Sequence, residues 1–408
     1  MGRRKPDERP LFVMALPVCR GRSIGDNALR RAAAISQHYR SVVISDSFPD
    51  QVPSSVETVR IEPPRFDFLR RLCHVPNELG FAWAVRRALE TLHRDREIGF
   101  VLCHSYSLAR FAGLWFRRRT GIPFGMFMHG HIFERPKGMY DALTTTFYRR
   151  IAPTCYRESH LLLALSPAQA ELALAAGASP EQMVLAPNGL DVDDLGLDPD
   201  TALRKVQGFE LRRPLRCLYV GRLALEKGVD VMLRAFAELR SREVPFSLDL
   251  IGQGPERDRL LKLAEELGLA ECCHFLGRFP RRELGLRLLD HDLLVVPSLT
   301  EALGNVVLEG MATGCLVVAS DTGGIPSMIR HRENGLLVRS GDPAALCQAL
   351  REVAEGRVEA RQIVRSALAW VQENASWTAI GRRIEAAAHA LATDFEPDRQ
   401  VGPMPGTR

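Results

Sequence analysis

The chain has 408 residues, of which 46% are hydrophobic and 25% charged, and its formal net charge is +5. This length and composition predict a globular protein of two or three domains. No apolar run approaches the ~20 residues that span a bilayer. The apolar run from Leu11 to Leu16 is too short for a signal-peptide core. We therefore expect a cytoplasmic protein.

The cysteine pattern argues against two classes of site. The nine cysteines are scattered, and none forms a C-x-x-C pair. Cys272 and Cys273 are adjacent, which suits one tetrahedral metal poorly. An odd number of cysteines without paired spacing indicates neither a disulfide framework nor a zinc site.

The charge is distributed unevenly along the chain. Residues 1–160 hold 26 Lys and Arg against 15 Asp and Glu, whereas the remainder holds 28 against 34. A basic N-terminal half favours an anionic partner, such as a membrane surface or a phosphorylated lipid, with a solvated arginine-rich surface as the alternative. Residues 65–72 mix apolar and basic side chains and predict either a membrane-surface segment or a packed amphipathic turn. Aromatic residues do not alternate with the basic ones, so nucleic acid is not an expected partner.

The first elements predict a doubly wound sheet. A strand from Leu11 to Leu16 is followed by a loop containing Gly25 and Asn27 and then by a helix from about Ala28. Strand, glycine loop and helix form the ligand-facing unit of such sheets. The G-x-G-x-x-G fingerprint is absent, which disfavours a nicotinamide-dependent oxidoreductase.

Strands at 100–104 and 123–128 enclose a helix at 108–119, and this alternation predicts parallel βαβ units. Ligands gather at the carboxyl ends of such strands. That places His104 and His129 at the functional edge, with His131 as a further candidate.

Asn188-Gly189-Leu190-Asp191 marks a domain boundary. We expect a first domain at 1–195, a linker at 196–213, a second domain at 214–375, a helix at 376–392 and a disordered tail at 393–408.

The second domain opens with a strand at 215–220 followed by Gly221, Arg222 and Lys227. A glycine lets the backbone approach a ligand. An arginine fork and a mobile lysine charge suit a diphosphate.

A second strand–loop–helix unit begins at the apolar run 293–296. Glu301 lies in its loop, Gly304 allows a tight turn, Asn305 is placed to cap the helix, and Glu309 falls within the helix. Free N–H groups at a helix start bind anions, and carboxylates accept hydrogen bonds from hydroxyl groups. The combination predicts a site for a nucleotide sugar.

This stretch resembles the E-x7-E motif of the retaining glycosyltransferases with a GT-B fold, the glycosyl transferases group 1 of glycosyltransferase family 4. Glu301-Ala302-Leu303-Gly304 fits the common form of the motif, and Glu309 is its second glutamate. The resemblance covers most of the chain and is strongest from Pro187 to Gly341. Further matches are His129-Gly130, Asn188-Gly189-Leu190-Asp191, Gly221-Arg222-Leu223 with Lys227-Gly228, Gly252-Gln253-Gly254-Pro255 and Thr322-Gly323-Gly324-Ile325-Pro326.

The resemblance implies two Rossmann-like α/β domains facing across a cleft, the first for the acceptor and the second for the donor. It implies a hexosyltransferase-type enzyme that moves a sugar from a nucleotide-diphosphate donor to an acceptor hydroxyl with retention of configuration. The final helix is expected to return to the first domain. No cofactor or metal is expected, because two cations offset the diphosphate charge.

The resemblance also implies a role for each matched residue. Arg222 and Lys227 would hold the diphosphate, Glu309 the ribose, Glu301 the sugar hydroxyls and His129 the sugar near its reacting carbon. Further donor contacts are expected from Gly221, Gly252, Phe275, Leu303, Gly304 and Asn305, and a weaker acceptor or phosphate loop from Gly25 and Asn27.

The expected acceptor is a saccharide or lipid-linked molecule of cell-surface polysaccharide, lipopolysaccharide or glycolipid synthesis, met at the inner face of the cytoplasmic membrane. Two alternatives remain open. A GT-B scaffold also serves sugar-nucleotide epimerases, which need no acceptor. A nucleotide-sugar-binding partner subunit without turnover is the other, although intact charged motifs argue against it.

Overall fold

The computed structural model describes residues 8–16, 24–64, 75–104, 108–128, 153–301 and 303–393. The chain divides into two compact units, one of Met1–Asn188 with Trp377–Arg408 and one of Gly189–Ser376. Each unit is built on a parallel sheet with α-helices, which confirms the predicted α/β class with two Rossmann-like domains.

The strands within the described residues are β1 Leu11–Ala15, β2 Arg40–Ser45, β3 Val56–Arg60, β4 Ile98–His104, β5 Phe124–Phe127, β6 Leu161–Ala164, β7 Met183–Leu185, β8 Leu215–Val220, β9 Phe246–Ile251, β10 Cys273–Gly277, β11 Leu293–Val296, β12 Leu316–Ser320 and β13 Leu336–Val338. The helices are α1 Ile24–Ala34, α2 Val75–Asp95, α3 Ala109–Thr120, α4 Pro167–Ala175, α5 Pro199–Gln207, α6 Val229–Ser241, α7 Arg257–Glu266, α8 Arg281–Asp290, α9 Asn305–Ala312, α10 Pro343–Ala354, α11 Ala360–Asn374 and α12 Trp377–Thr393. Residues 153–158 are also helical.

The sheet of the first unit has the order β3-β2-β1-β4-β5-β6-β7. Val13 of β1 lies between Val42 of β2 and Val101 of β4. Alternate side chains enter two separate cores, because successive residues of a strand point to opposite faces. Val13 and Val101 belong to one core, and Met14 with Phe127 to the other.

The last helix completes the second of these two cores. Ile380, Ile384 and Ala388 of α12 are buried in it, and α12 packs against α1. The core of the first unit is therefore closed by residues from both ends of the chain.

The sheet of the second unit has the order β10-β9-β8-β11-β12-β13. Leu293 and Leu294 of β11 pair with Cys217 and Leu218 of β8. The order reverses between β8 and β11, and ligands of open α/β sheets bind beyond the carboxyl ends of the strands at such a reversal. The loops after β8 and β11 meet at this point.

The segment 196–213, predicted to be a linker, belongs to the second unit. It contains α5, whose Ala202 and Val206 are buried. The ammonium of Lys205 donates hydrogen bonds to the carbonyl oxygens of Leu288 at 2.8 Å and His291 at 2.7 Å. These contacts hold the segment against the end of α8, where a helix presents unpaired carbonyl groups.

None of the helices in the described ranges combines the length and the apolar character that a membrane crossing requires. The predicted membrane-surface segment at 65–72 lies outside the described residues, as do residues 394–408 of the predicted tail.

Candidate active site

Two loops are locked together where the strand order of the second sheet reverses. The turn Leu225–Lys227 ends at Gly228, whose φ is +60°. A Cβ at this position would lie 2.2 Å from the carbonyl oxygen of Pro297, so only glycine fits. The carbonyl oxygen of Glu226 accepts from the N–H groups of Leu299 at 2.9 Å and Thr300 at 3.3 Å. The loop after β8 is thus fixed on the loop after β11.

This contact brings together two of the predicted site residues. Nζ of Lys227 lies 2.5 Å from Oε2 of Glu301, and their side chains are 24% and 14% exposed. The hydroxyl of buried Ser298 donates to the same carboxylate oxygen at 3.4 Å. An ammonium and a carboxylate are therefore held side by side at the carboxyl edge of the sheet.

A third loop supports the backbone of Glu301. Gly323 has a φ of +57°, and a Cβ there would lie 1.6 Å from the carbonyl oxygen of Glu301. The N–H of Gly324 donates to that oxygen at 3.2 Å. The hydroxyl of Thr322 donates to the carbonyl oxygen of Leu299 at 3.1 Å. The glycine turn at 322–326, singled out in the sequence, acts here as a platform under Glu301.

Helix α9 begins directly after this loop. Its N-cap is Gly304, with a φ of +86° and no side-chain capping hydrogen bond. Asn305 is the first helical residue and is exposed, so the expectation that Asn305 caps the helix is wrong. The left-handed turn needs a residue without a Cβ, and glycine takes the cap position. Leu303 is buried just before it. A helix start without a capping side chain is suited to an anion.

Arg222 is placed differently from Lys227. Its guanidinium is 65% exposed and pairs with the carboxylate of Glu226, four residues further on. The hydroxyl of Tyr219 donates to the Arg222 carbonyl oxygen at 2.9 Å. Burial, with Glu301 and Glu226 nearby, raises the pKa of Tyr219, so this phenol stays a donor. The backbone of Arg222 is fixed while its side chain remains at the surface.

Three further predicted donor-site positions lie on, or directly after, the neighbouring strands β8, β9 and β10: Gly221, Gly252 and Phe275. Gly252 follows β9, and a Cβ there would lie 1.8 Å from the carbonyl oxygen of Gly221. The N–H of Gly221 donates to the carbonyl oxygen of Ile251 at 3.0 Å. Phe275 of β10 is half-buried and pairs with Leu250 of β9. The structure brings Gly221 and Gly252 into contact.

Glu309 is buried within α9, with only 6% of its surface exposed. Its carboxylate oxygen Oε1 lies 3.4 Å from Nη1 of Arg281. Burial raises the pKa of Glu309, Arg281 opposes that rise, and Asp194 adds to it. Sequence reasoning missed Arg281. The available signal was the basic pair Arg281-Arg282 after Pro280, in the segment that follows β10 of the second unit.

The remaining predicted residues lie in the first unit. His129, Gly130 and His131 fall outside the described residues. Gly25 and Asn27 lie in the first turns of α1, and Asn27 is half-buried. His104, at the end of β4, is buried and its ring stacks on Phe127 with 5.3 Å between centroids. Over the described ranges, His, Cys, Asp and Glu form no group of three that could hold a metal ion.

Comparison with known proteins shows which families the two units resemble. Residues 202–370 match the family profile "Glycosyl transferases group 1", and residues 27–189 match "Glycosyl transferase 4-like domain". The amylovoran biosynthesis glycosyltransferase AmsK of Erwinia amylovora is 29% identical over 231 residues, which is 55% of each chain.

The GDP-mannose-dependent alpha-(1-6)-phosphatidylinositol monomannoside mannosyltransferase of Mycolicibacterium smegmatis is 30% identical over 205 residues, 48% of this chain and 54% of that protein. The chain thus spans about half the length of these curated relatives.

The crystal structure of Anabaena HepE in complex with UDP superimposes with a TM-score of 0.66. It shares 20% identity and covers 94% of this chain and 100% of that one. This likeness concerns the fold and confirms the predicted GT-B class. Each unit thus matches one glycosyltransferase family, residues 27–189 the glycosyl transferase 4-like domain and residues 202–370 the glycosyl transferases group 1, and the chain as a whole has the GT-B fold.

Proposed function

We propose that this protein transfers a sugar from a nucleotide-diphosphate donor to an acceptor hydroxyl with retention of configuration. The observation that carries the proposal is the Lys227–Glu301 pair, held at the strand-order reversal by three interlocked loops. A positive charge, a carboxylate and an uncapped helix start converge there. A nucleotide sugar presents the matching groups: a diphosphate and a ring of hydroxyls.

The side chains of the second unit supply the electrostatics of the reaction. Lys227 and Arg222 would hold the diphosphate and offset the charge that grows on it as the bond to the sugar breaks. The N–H groups at the start of α9 would add to this stabilisation. With two cations in this role, we infer that no metal is required.

Glu301 and Glu309 would recognise hydroxyl groups. An ionised carboxylate accepts hydrogen bonds with both oxygens. Glu301, next to Lys227, would bind hydroxyls of the transferred sugar, and Glu309 those of the ribose. Further donor contacts, as the family resemblance implies, would come from Gly221, Gly252, Phe275, Leu303, Gly304 and Asn305.

Retention follows from a front-face route. The bond between the anomeric carbon and the leaving phosphate oxygen breaks, and the acceptor oxygen bonds to the same face of that carbon. The acceptor proton passes to the leaving phosphate oxygen, so no protein nucleophile is consumed. The products are a nucleoside diphosphate and the glycoside. The role of His129 beside the sugar stays a prediction.

The relatives suggest the acceptor class. AmsK is named for amylovoran biosynthesis, and the mycobacterial relative for a phosphatidylinositol monomannoside. We infer a saccharide or glycolipid acceptor for this chain, in cell-surface polysaccharide, lipopolysaccharide or glycolipid synthesis.

A surface of α2 supports a peripheral membrane location at the inner face of the cytoplasmic membrane. Leu79 and Trp83 are 56% and 49% exposed. The guanidinium carbon of Arg87 lies 4.8 Å from the Trp83 ring centre. The positions 79, 83 and 87 are four residues apart and share one face of the helix. Apolar side chains flanked by arginine suit an interface with anionic lipids.

Thermal unfolding with nucleotides tests the proposal first. UDP, GDP and ADP and their sugars would be added in EDTA and then with Mg²⁺. A ligand at a hundred times its dissociation constant adds about 2.7 kcal/mol of stability. Stabilisation by one nucleotide in EDTA supports the proposal, and stabilisation only with Mg²⁺ contradicts metal independence. Once a transfer product is isolated, the coupling constant of its anomeric proton in the NMR spectrum shows whether the donor's anomeric configuration is retained. Release of a free altered sugar without acceptor would favour an epimerase.

A further inference from the structure

Arg281 covers the buried carboxylate of Glu309. Its Nη1 lies 3.4 Å from Oε1 of Glu309, and its Nε donates to the carbonyl oxygen of Asp194 at 3.2 Å. The Arg281 side chain is 56% exposed, whereas that of Glu309 is 8% exposed. A guanidinium anchored on the segment Val192–Leu195 thus forms the outer surface above a carboxylate in the interior of the donor unit.

The groups that face Glu309 pull its ionisation in opposite directions. Burial disfavours the charged form and Asp194 adds to this, so both raise the pKa, while Arg281 lowers it. Within the described residues, Arg281 is the cation that lies within 4 Å of this carboxylate. Arg281 therefore favours the ionised form of Glu309 against the opposing effects of burial and Asp194.

A ribose hydroxyl pair needs the ionised form. An ionised carboxylate offers acceptors at both oxygens, whereas the protonated group turns one oxygen into a donor. A buried acid that binds two hydroxyl donors is accordingly useful only while it remains charged.

We propose that Arg281 is a positioning residue of the donor site, which keeps Glu309 ionised and oriented toward the ribose hydroxyls of the nucleotide. This inference rests on the proposed function, because it takes Glu309 to be the ribose-binding group. It adds a residue outside every motif of the sequence, on the helix that follows β10.

The competing explanation is structural. Through its bond to Asp194, Arg281 also ties the start of α8 to the segment Val192–Leu195. A residue with this role alone would affect thermal stability. It would leave the pH dependence of nucleotide binding and the preference for ribose unchanged.

The experiment compares Arg281→Ala and Arg281→Lys with Arg282→Ala as a matched control. Arg282 is the next residue of the same helix turn and is exposed, and no described ion pair joins it to Glu309. Dissociation constants for UDP and GDP are measured calorimetrically from pH 5.5 to 8.5, and the tighter ligand is compared with its 2′-deoxy form. The terminal phosphate of the nucleotide titrates in every variant, so ratios between variants cancel its contribution.

We expect Arg281→Ala to weaken nucleotide binding about tenfold near neutral pH. This is the size of effect expected when the ribose hydroxyls lose hydrogen bonds to the ionised carboxylate of Glu309. The loss should grow as the pH falls, and the preference for ribose over 2′-deoxyribose should shrink. Arg281→Lys should restore part of both, and Arg282→Ala should match the wild type.

If Arg281→Ala lowers thermal stability but keeps the wild-type pH profile and ribose preference, the inference is overturned and the proposed function stands. If the wild type binds none of the nucleotides at any pH, the proposed function fails and this inference fails with it. Glu309→Gln provides a second check, because it should make nucleotide binding insensitive to the Arg281 substitutions.

Discussion

A Cβ on Gly323 would lie 1.6 Å from the carbonyl oxygen of Glu301. The glycine turn therefore touches the backbone of the acidic residue at the centre of the site. Its positive φ and this contact together leave no room for a side chain.

Gly323→Ala should reduce both stability and activity. We expect the free energy of unfolding to fall by about 1–2 kcal/mol because alanine is strained in a left-handed backbone conformation, and to fall further because the Glu301 loop is displaced. The rate of sugar transfer should fall at least tenfold. Gly268→Ala is the matched control. Its φ is +71°, but nothing lies within 4 Å of its Cβ position, so it carries the backbone strain alone. Chemical denaturation measures the loss of stability in both variants, and rates of sugar transfer measure the loss of activity. Equal losses of activity in both variants would contradict a special role for this contact.

Lys227 and Glu301 should behave as one unit in catalysis. Lys227→Met and Glu301→Gln each remove one charge of a pair that is mostly shielded from water. We expect each to lower the transfer rate about 10²-fold or more, the effect of removing a preorganised charge. The double variant should lose much less than the product of the two single losses, because the charges act together. A double-mutant cycle on kcat/KM measures this coupling. Independent, multiplicative losses would show that the pair has no joint role.

Arg222→Ala should separate phosphate binding from folding. The Arg222–Glu226 pair is a surface pair, and such pairs contribute about 0–1 kcal/mol to stability. We therefore expect the free energy of unfolding to change little, whereas kcat/KM for sugar transfer should fall about 10²- to 10³-fold. Arg242→Ala removes the arginine of a similar surface pair, with Glu238 on α6, and should leave transfer intact. Unchanged turnover in Arg222→Ala would refute the phosphate assignment.

Arg31 of α1 should lower the stability of the first unit. Its side chain is buried, and among the residues that the structure describes its Nε and Nη2 have no hydrogen-bond partner. The guanidinium carbon lies 3.9 Å from the Phe127 ring centre. Burial lowers the pKa of Arg31 to about 9. We expect Arg31→Met to raise the free energy of unfolding by roughly 1–4 kcal/mol at pH 7, because replacing buried charged groups by apolar residues often stabilises a protein.

The sign of the pH dependence follows from the lowered pKa of Arg31. Because the unfolded chain binds the proton more tightly, the destabilisation is fully present below about pH 9. It fades as the pH rises from there toward the ordinary arginine pKa. The advantage of Arg31→Met in unfolding experiments should therefore be smaller at pH 10.5 than at pH 7. Arg30→Met, at the adjacent and less buried position, should show no such trend. An advantage independent of pH would contradict the buried-charge explanation.

Hydrophobic runs and glycine turns were sufficient to predict most strands, since β11 is a continuous apolar segment and β4 and β8 are mostly apolar. Helix α2 was missed. Its buried Phe81, Val85 and Leu89 recur every four residues, but exposed Leu79 and Trp83 blur the periodicity by placing apolar groups on the outer face as well.

The pairing of Lys227 with Glu301 was beyond sequence reasoning for a topological reason. The two residues follow β8 and β11, which are neighbours only because β9 and β10 lie on the other side of β8. The Arg281–Glu309 pair could not be predicted for the same reason, since Glu309 lies on a helix two elements after that of Arg281. Motifs identify residues, but strand order decides which of them meet.

Helix α12 determines the order in which the two units can be completed during synthesis. The second unit is one continuous segment, Gly189–Ser376, whereas the first needs Trp377–Thr393 to cover its core. A ribosome therefore releases every residue of the second unit before the first can close. Until then, the apolar face against which Ile380 and Ile384 pack stays open. A chain cut at 376 should keep a folded second unit and aggregate through its N-terminal half.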